Sequence, residues 1–216
     1  MIGAVVFDMD GVLIDSEQVW DEVRRELARE RGRPWPEGAT RDMMGMSSRE
    51  WSRYMHEVVG VPEPPEEINR EVVERMLERY AEGPPWLPGA TEAVRRIAER
   101  WPLGLASSSN RELIDAVLEA GGLSGLFRAT VSSEEVARGK PAADVYLEAA
   151  RRLGVAPERA AAIEDSHNGI RSAKAAGMRV VAIPNPHFPP DEDALAEADV
   201  VLESIDRLTP AVILAA

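Results

Sequence analysis

Two aspartates, Asp8 and Asp10, close the apolar run Ala4-Val5-Val6-Phe7 in the segment Phe-Asp-Met-Asp-Gly-Val-Leu. Side chains two residues apart in an extended segment share a face, so both carboxylates point the same way. Buried together they would repel, and a hard divalent cation such as Mg²⁺, which takes carboxylate, carbonyl and water oxygens, resolves that repulsion. It would also screen Asp8 from an approaching phosphate, leaving Asp8 free to attack phosphorus as a covalent nucleophile. Asp10 could protonate the leaving oxygen and then deprotonate water. Gly11 allows a tight turn beside the phosphate and could offer its backbone N–H. Read alone, the segment also fits a loop with solvated acids.

Three further segments carry groups suited to a phosphate ester. Ser107, Ser108 and Ser109, with Asn110 behind them, follow Leu103-Gly104-Leu105-Ala106 and supply hydroxyl and backbone donors. The same run ahead of Arg111-Glu112-Leu113 also reads as a turn and helix N-cap. Lys140 sits in Arg138-Gly139-Lys140-Pro141-Ala142, where Pro141 is suited to open the next helix and the ammonium is a compact charge for a phosphoryl group. Lysine occurs only at positions 140 and 174, arginine serving everywhere else, which favours a function for Lys140 over a solvated surface role. Glu164 and Asp165 follow Ala160-Ala161-Ala162-Ile163 and could complete a metal site, although Asp165 could equally cap the helix after it.

Each of these groups must be delivered by a scaffold, and short apolar runs supply one. Runs at 4–7, 103–106, 129–131, 160–163, 180–183 and 200–202 read as buried parallel strands. Helical patterns at 90–100, 112–120, 144–153 and 168–176 alternate with them, the last closed by Gly177. The alternation predicts an α/β fold, a Rossmann-like doubly wound parallel sheet. Residues 16–85 break it: Val19, Val23 and Leu27, then Ile68, Val72, Met76 and Tyr80, repeat every fourth position and predict an all-helical insertion. The expected division is a catalytic core of residues 1–15 and 86–216 and a helical cap of residues 16–85, set as a lid over the carboxyl ends of the strands.

Composition narrows the function classes. With 216 residues, 44% hydrophobic, the chain can bury one sizeable core and a second small module. A formal charge of −13 argues against nucleic acid and anionic membranes as partners. No apolar stretch approaches the roughly 20 residues that cross a bilayer, and early carboxylates interrupt any signal-peptide pattern, so a cytoplasmic location is expected. The absence of cysteine excludes disulfides, thiolate metal sites and a cysteine nucleophile.

In order and spacing, Phe7-Asp8-Met9-Asp10-Gly11-Val12-Leu13, Ser107, Gly139-Lys140-Pro141 and Glu164-Asp165-Ser166 resemble the four motifs of the haloacid dehalogenase superfamily over nearly the whole chain. The resemblance implies Asp8 as nucleophile, Asp10 as acid/base and, through its carbonyl, metal ligand, Ser107 and Lys140 as phosphate binders, and Asp165 as a Mg²⁺ ligand with Glu164 beside it. The insertion looks like the helical cap of the subfamily holding β-phosphoglucomutase, phosphoglycolate phosphatase and sugar phosphatases. Arg49, in Gly45-Met46-Ser47-Ser48-Arg49-Glu50, is similar to the mutase's sugar-phosphate arginine, or is an exposed helix-start residue. Trp20 and Met76 stand where mutases carry a cap histidine and lysine, and Asp15-Ser16-Glu17-Gln18-Val19-Trp20 looks more like broad sugar phosphatases. The implied activity is Mg²⁺-dependent hydrolysis of a small phosphorylated metabolite, such as a sugar phosphate, by a monomer, with a dimer left open. A mutase and a non-catalytic phosphate-binding or partner-binding module are the alternatives. His167, beside Asp165, reads as an exposed histidine at a helix start or as a group that approaches the metal, His56 and His187 have no partner spacing, and Trp20, Trp35 and Trp51 read as core or as walls of the substrate pocket.

Overall fold

The computed structural model describes residues 1–185 and 189–215, so His187 lies outside the described residues. Six parallel strands form one sheet: β1 (Ala4–Phe7), β2 (Leu103–Ser107), β3 (Phe127–Ser132), β4 (Ala160–Glu164), β5 (Arg179–Ala182) and β6 (Val200–Val201). Their order in space is β3-β2-β1-β4-β5-β6, so the winding reverses at β1, between β2 and β4. Open α/β sheets bind ligands outside the carboxyl ends of the strands at such a reversal. Every residue of β1, β2 and β4 is buried, which is why these strands read as continuous apolar runs instead of alternating ones.

Four helices stand between β1 and the helix that precedes β2: α1 (Glu17–Glu30), α2 (Ala39–Met43), α3 (Ser48–Tyr54) and α4 (Pro65–Ala81). A π-helical turn, Met55–Val59, extends α3. Helix α1 buries Trp20, Val23, Arg24, Leu27 and Ala28, one stripe at three- and four-residue spacing with an arginine inside it. Helix α4 starts with Pro65 at its first turn and buries Ile68, Val72, Val73, Met76 and Tyr80. It packs on α1 and α3.

The remaining helices cover the sheet: α5 (Ala90–Ala98), α6 (Arg111–Ala120), α7 (Asp144–Leu153), α8 (His167–Ala175), α9 (Glu192–Ala196) and α10 (Pro210–Ala215). One hydrophobic cluster joins one face of the sheet to the helical insertion, through Phe7, Leu13, Trp20, Trp51 and Met76 among others. A second, with Val6, Val131, Tyr146 and Ile170, covers the opposite face. Pro141 does not open α7, which begins three residues later. It follows a cis peptide bond from Lys140, inside a turn in which the Ala142 N–H donates to Gly139 O.

Candidate active site

The carboxyl ends of β1, β2 and β4 bring the acids and hydroxyls of three of the segments to one mouth. Asp8 continues β1, its N–H donating to Ile163 O on β4 (2.9 Å). After Asp10 the chain turns back, and the Gly11 N–H donates to Ile14 O (2.7 Å), so this donor is engaged within the turn. Gly11 has φ +77, and a β-carbon there would fall 1.9 Å from Asp165 Oδ2. The glycine thus allows the turn and leaves space for the Asp165 carboxylate.

Lys140 reaches the site from the loop after β3. Its Nζ lies 3.0 Å from Asp8 Oδ1 and 2.5 Å from Glu164 Oε1. Glu164 is fully buried and both its oxygens are engaged. Oε1 accepts from Lys140 and from the Tyr146 hydroxyl (2.6 Å), while Oε2 accepts from the N–H groups of Asp165 (3.1 Å) and Ser166 (3.4 Å) and from the Ser166 hydroxyl (3.2 Å). A buried charge is tolerated when paired and hydrogen-bonded in this way. Ser166, not Asp165, caps α8, its hydroxyl accepting from the Gly169 N–H (3.1 Å), which leaves the Asp165 carboxylate free of the capping role.

Carboxylate oxygens of Asp8, Glu164 and Asp165 all lie within 4.8 Å of one another, and all three residues are buried. One ammonium faces three carboxyl groups. Burial pushes the Asp8 carboxyl well above the usual aspartate range; Lys140 pulls it back, and Glu164 and Asp10 add to the rise. Burial, then Glu164 and Asp8, raise Asp165 likewise. Burial alone would depress the Lys140 ammonium, but Asp8 and Glu164 outweigh it and hold the ammonium above its ordinary value. Asp8 Oδ1 is buried, with the Lys140 ammonium 3.0 Å away. Excess negative charge and hard oxygen atoms within 4.8 Å of one another fit a small divalent cation such as Mg²⁺, with Asp8 and Asp165 the carboxylates still open to it.

Asp10 is held differently. Its Oδ1 accepts from the Ser16 hydroxyl (2.5 Å) and Trp20 Nε1 (3.4 Å), its Oδ2 from the hydroxyls of Ser107 (3.2 Å) and Ser109 (2.7 Å). Ser107 also accepts from the Ser109 N–H (3.0 Å) and is fully buried. Ser108 and Ser109 line the open cavity.

That cavity, about 370 Å³, lies between the sheet ends and the helical insertion. Asp8, Asp10, Lys140 and Asp165 line its floor, and Glu17, Trp20, Arg24 and Trp51 line it from the insertion, with His167 at the side. A volume of this size accommodates a small metabolite. Trp20 and Trp51 are therefore both core and cavity wall. Two other expected contacts lie elsewhere. Arg49 is exposed and outside the cavity lining. The Asn110 carboxamide donates to Asn69 Oδ1 (3.2 Å) and Glu134 Oε1 (2.8 Å), and the Ser48 hydroxyl donates to the same Glu134 oxygen (2.9 Å), so Asn110 belongs to a bridge between the insertion and the sheet domain.

Arg24 and Arg41 also line the cavity, and no motif of the sequence contains them. The signal for Arg24 was present: an arginine four residues after Trp20, inside the apolar stripe of α1.

Comparison with known proteins agrees with this arrangement. The family model for haloacid dehalogenase-like hydrolases matches residues 2–177. Hexitol phosphatase B of Escherichia coli K12 is 36% identical over 215 residues, covering 95% of this chain and 94% of that protein. A phosphorylated carbohydrates phosphatase of Thermotoga maritima is 34% identical over 201 residues, 92% of each. The crystal structure of CbbY from Rhodobacter sphaeroides in complex with phosphate superposes with a TM-score of 0.87 at 30% identity, covering 99% of both chains. The fold, the four converging segments and these matches over nearly the full length lead to one assignment: the chain belongs to the haloacid dehalogenase-like hydrolase family.

Proposed function

We propose that the chain is a Mg²⁺-dependent phosphatase of small phosphorylated metabolites, sugar phosphates foremost, working through an aspartyl phosphate on Asp8. The observation that carries this reading is the buried cluster of Asp8, Glu164 and Asp165 carboxylates, with Asp8, Asp165 and Lys140 at the floor of a metabolite-sized cavity. The named activities of the hexitol and carbohydrate phosphatase relatives support the substrate class.

Bound Mg²⁺ would supply charge neutralisation between Asp8 and the incoming phosphate. Asp8 and Asp165 would hold it, with the Asp10 carbonyl. In the first half-reaction an Asp8 carboxylate oxygen forms a bond to phosphorus as the ester P–O bond breaks, and Asp10 gives its proton to the departing alkoxide oxygen. In the second, Asp10 takes a proton from water, whose oxygen bonds to phosphorus as the Asp8–phosphorus bond breaks, releasing inorganic phosphate. Lys140 holds phosphoryl oxygens and keeps Asp8 oriented, with Glu164 and Tyr146 fixing the lysine in turn. Ser108 presents its hydroxyl on the open side, the hydroxyl and N–H of Ser109 being engaged by Asp10 and Ser107.

The core of residues 1–15 and 86–216 carries the chemistry, and the cap of residues 16–85 reads the rest of the metabolite while excluding water. The working compartment proposed is the cytoplasm, with a monomeric enzyme. A mutase reading gains no specific support: Met76 is fully buried, Trp20 bonds Asp10, and Arg49 faces solvent. A screen of phosphorylated metabolites with Mg²⁺ present and chelated tests the proposal. Phosphate release that needs Mg²⁺ and disappears in Asp8→Asn supports it; undiminished turnover by Asp8→Asn refutes it. Isomerised sugar without phosphate release would replace it with the mutase.

A further inference from the structure

The inference concerns Arg24 and rests on the phosphatase reading of the cavity. Arg24 is about nineteen-twentieths buried, at 6% exposure, and lines the cavity from the insertion. Its guanidinium carbon lies 4.7 Å from the ring centre of Trp20 and 4.9 Å from that of Trp51. Guanidinium faces stack on aromatic rings, while its five N–H groups project in the plane and remain for acceptors. Among the described residues Arg24 makes no ion pair, and its Nε–H is buried without an acceptor.

The carboxyl groups that act on Arg24 through space are Glu17, Asp21 and Asp10, and none bonds to it. Asp21 is engaged by Arg25 (2.6 Å) and by the Thr40 hydroxyl (2.5 Å). Asp10 already accepts four hydrogen bonds. Glu17 lines the same cavity. A buried cation with an idle donor edge is costly unless something completes it, and the open space it borders is the cavity. Apart from Lys140 at the floor, the arginine and lysine side chains of the lining are Arg24 and Arg41, both from the insertion.

We propose that Arg24 is a specificity-determining residue that pairs with an acidic group of the substrate, a carboxylate or a second phosphate, at the end remote from the phosphate transferred to Asp8. A neutral hydroxyl would satisfy one N–H but leave the buried cation without a directly bonded ion-pair partner. An anion does both, through charge-assisted bonds about twice as strong as neutral ones. The arginine is already desolvated and held by two tryptophan rings, so little further ordering opposes its pairing.

Matched substrates separate the acidic group from the rest of the molecule. 6-Phosphogluconate and glucitol 6-phosphate differ at carbon one, carboxylate against hydroxymethyl; fructose 1,6-bisphosphate and fructose 6-phosphate differ by the second phosphate. Binding of each is measured by calorimetry on Asp8→Asn protein with Mg²⁺, where turnover does not interfere. In at least one pair the acidic member is expected to bind tighter by about tenfold or more, the size of one charge-assisted contact. Adding Arg24→Gln should bring that ratio to within about twofold of one, and Arg24→Lys should restore part of it. Equal binding within both pairs overturns the proposal, as does a preference that survives Arg24→Gln. If Arg24→Gln does not fold, the pair ratios of the arginine-containing protein and of Arg24→Lys decide alone. Hydrolysis of para-nitrophenyl phosphate by the unmodified enzyme tests the phosphatase reading separately, so its failure is distinct from a lost preference in binding.

Discussion

Lys140 Nζ lies 2.5 Å from Glu164 Oε1, closer than the 3.0 Å that separates it from Asp8. Glu164 therefore acts mainly as the anchor of the lysine, and the lysine as the counter-charge of a buried acidic group. The pair is fixed further by the Tyr146 hydroxyl on the same oxygen. Removing one partner of such a buried pair exposes the other's desolvation cost.

Lys140→Met is accordingly expected to lower stability by about 3 kcal/mol in chelator, and to reduce turnover by roughly a hundredfold or more as positioning of Asp8 and phosphate is lost. Adding Glu164→Gln should recover part of the stability and none of the turnover. Urea unfolding and phosphate release, measured on both variants, check this. A Lys140→Met protein as stable as the parent would mean that the acids around it are already neutral.

Gly11 stands with its missing side chain against Asp165. An alanine there meets both a left-handed φ of +77 and a carboxylate oxygen 1.9 Å from its β-carbon. Gly11→Ala should cost about 1–3 kcal/mol from strain and displacement, and should raise the Mg²⁺ concentration needed for half-maximal activity because Asp165 is pushed aside. Gly32, also at positive φ but with nothing near its β-carbon position, is the control: its alanine variant should pay only the backbone term and keep the same Mg²⁺ dependence.

Mg²⁺ should stabilise the parent and leave Asp165→Asn nearly unchanged. Three buried carboxyl groups against one ammonium leave excess negative charge, so Asp165→Asn relieves repulsion and should be at least as stable as the parent in chelator. With Mg²⁺ at about 100 times its Kd, the parent should gain about 2.7 kcal/mol, a rise of several degrees in Tm, and Asp165→Asn should gain little. A parent Tm indifferent to Mg²⁺ would remove the cation from this site.

The sequence made the scaffold readable because buried parallel strands are uninterrupted apolar runs and because three acid- or hydroxyl-bearing segments follow them directly, with Lys140 in a loop beyond a fourth strand. Ends of elements were less legible: β3 starts at Phe127, two residues before the apolar run expected there, since the exposed Arg128 disguises it. Glu164 reads as a metal neighbour and lies within 4.8 Å of Asp8 and Asp165, while nothing in a linear sequence shows that Tyr146 and Lys140 also close on its Oε1. Asn110 reads as a substrate contact and Arg49 as a sugar-phosphate arginine or an exposed helix-start residue, while in the structure Asn110 bonds across to the insertion and Arg49 faces solvent. The first is a contact between residues 41 apart in the chain and the second the outcome of helix rotation, which periodicity does not resolve. Arg24 was hidden by its own stripe, since an arginine among apolar positions looks like a break in the pattern.

Glu17 gives a pH signature. Burial lifts its carboxyl to about 7, against the pull of Arg24 and with a further push from Asp10, Asp15 and Asp21. An unfolded glutamate ionises near 4.5. Below that pH both states carry the proton and Glu17 costs nothing. As pH rises from 4.5 to about 7 the unfolded chain releases a proton that the folded protein retains, so stability falls across this window and levels off above it. Glu17→Gln has no proton to release. At pH 4 its unfolding free energy should match that of the parent within a few tenths of a kcal/mol, and at pH 8 it should exceed it by about 2 kcal/mol, the shift being discounted for the partial exposure of the side chain. Urea unfolding at the two pH values, in chelator, reads this difference. A gain that is the same at pH 4 and pH 8 would assign the stabilisation to packing, and no gain at pH 8 would mean that Glu17 ionises as freely in the folded protein as in the unfolded chain.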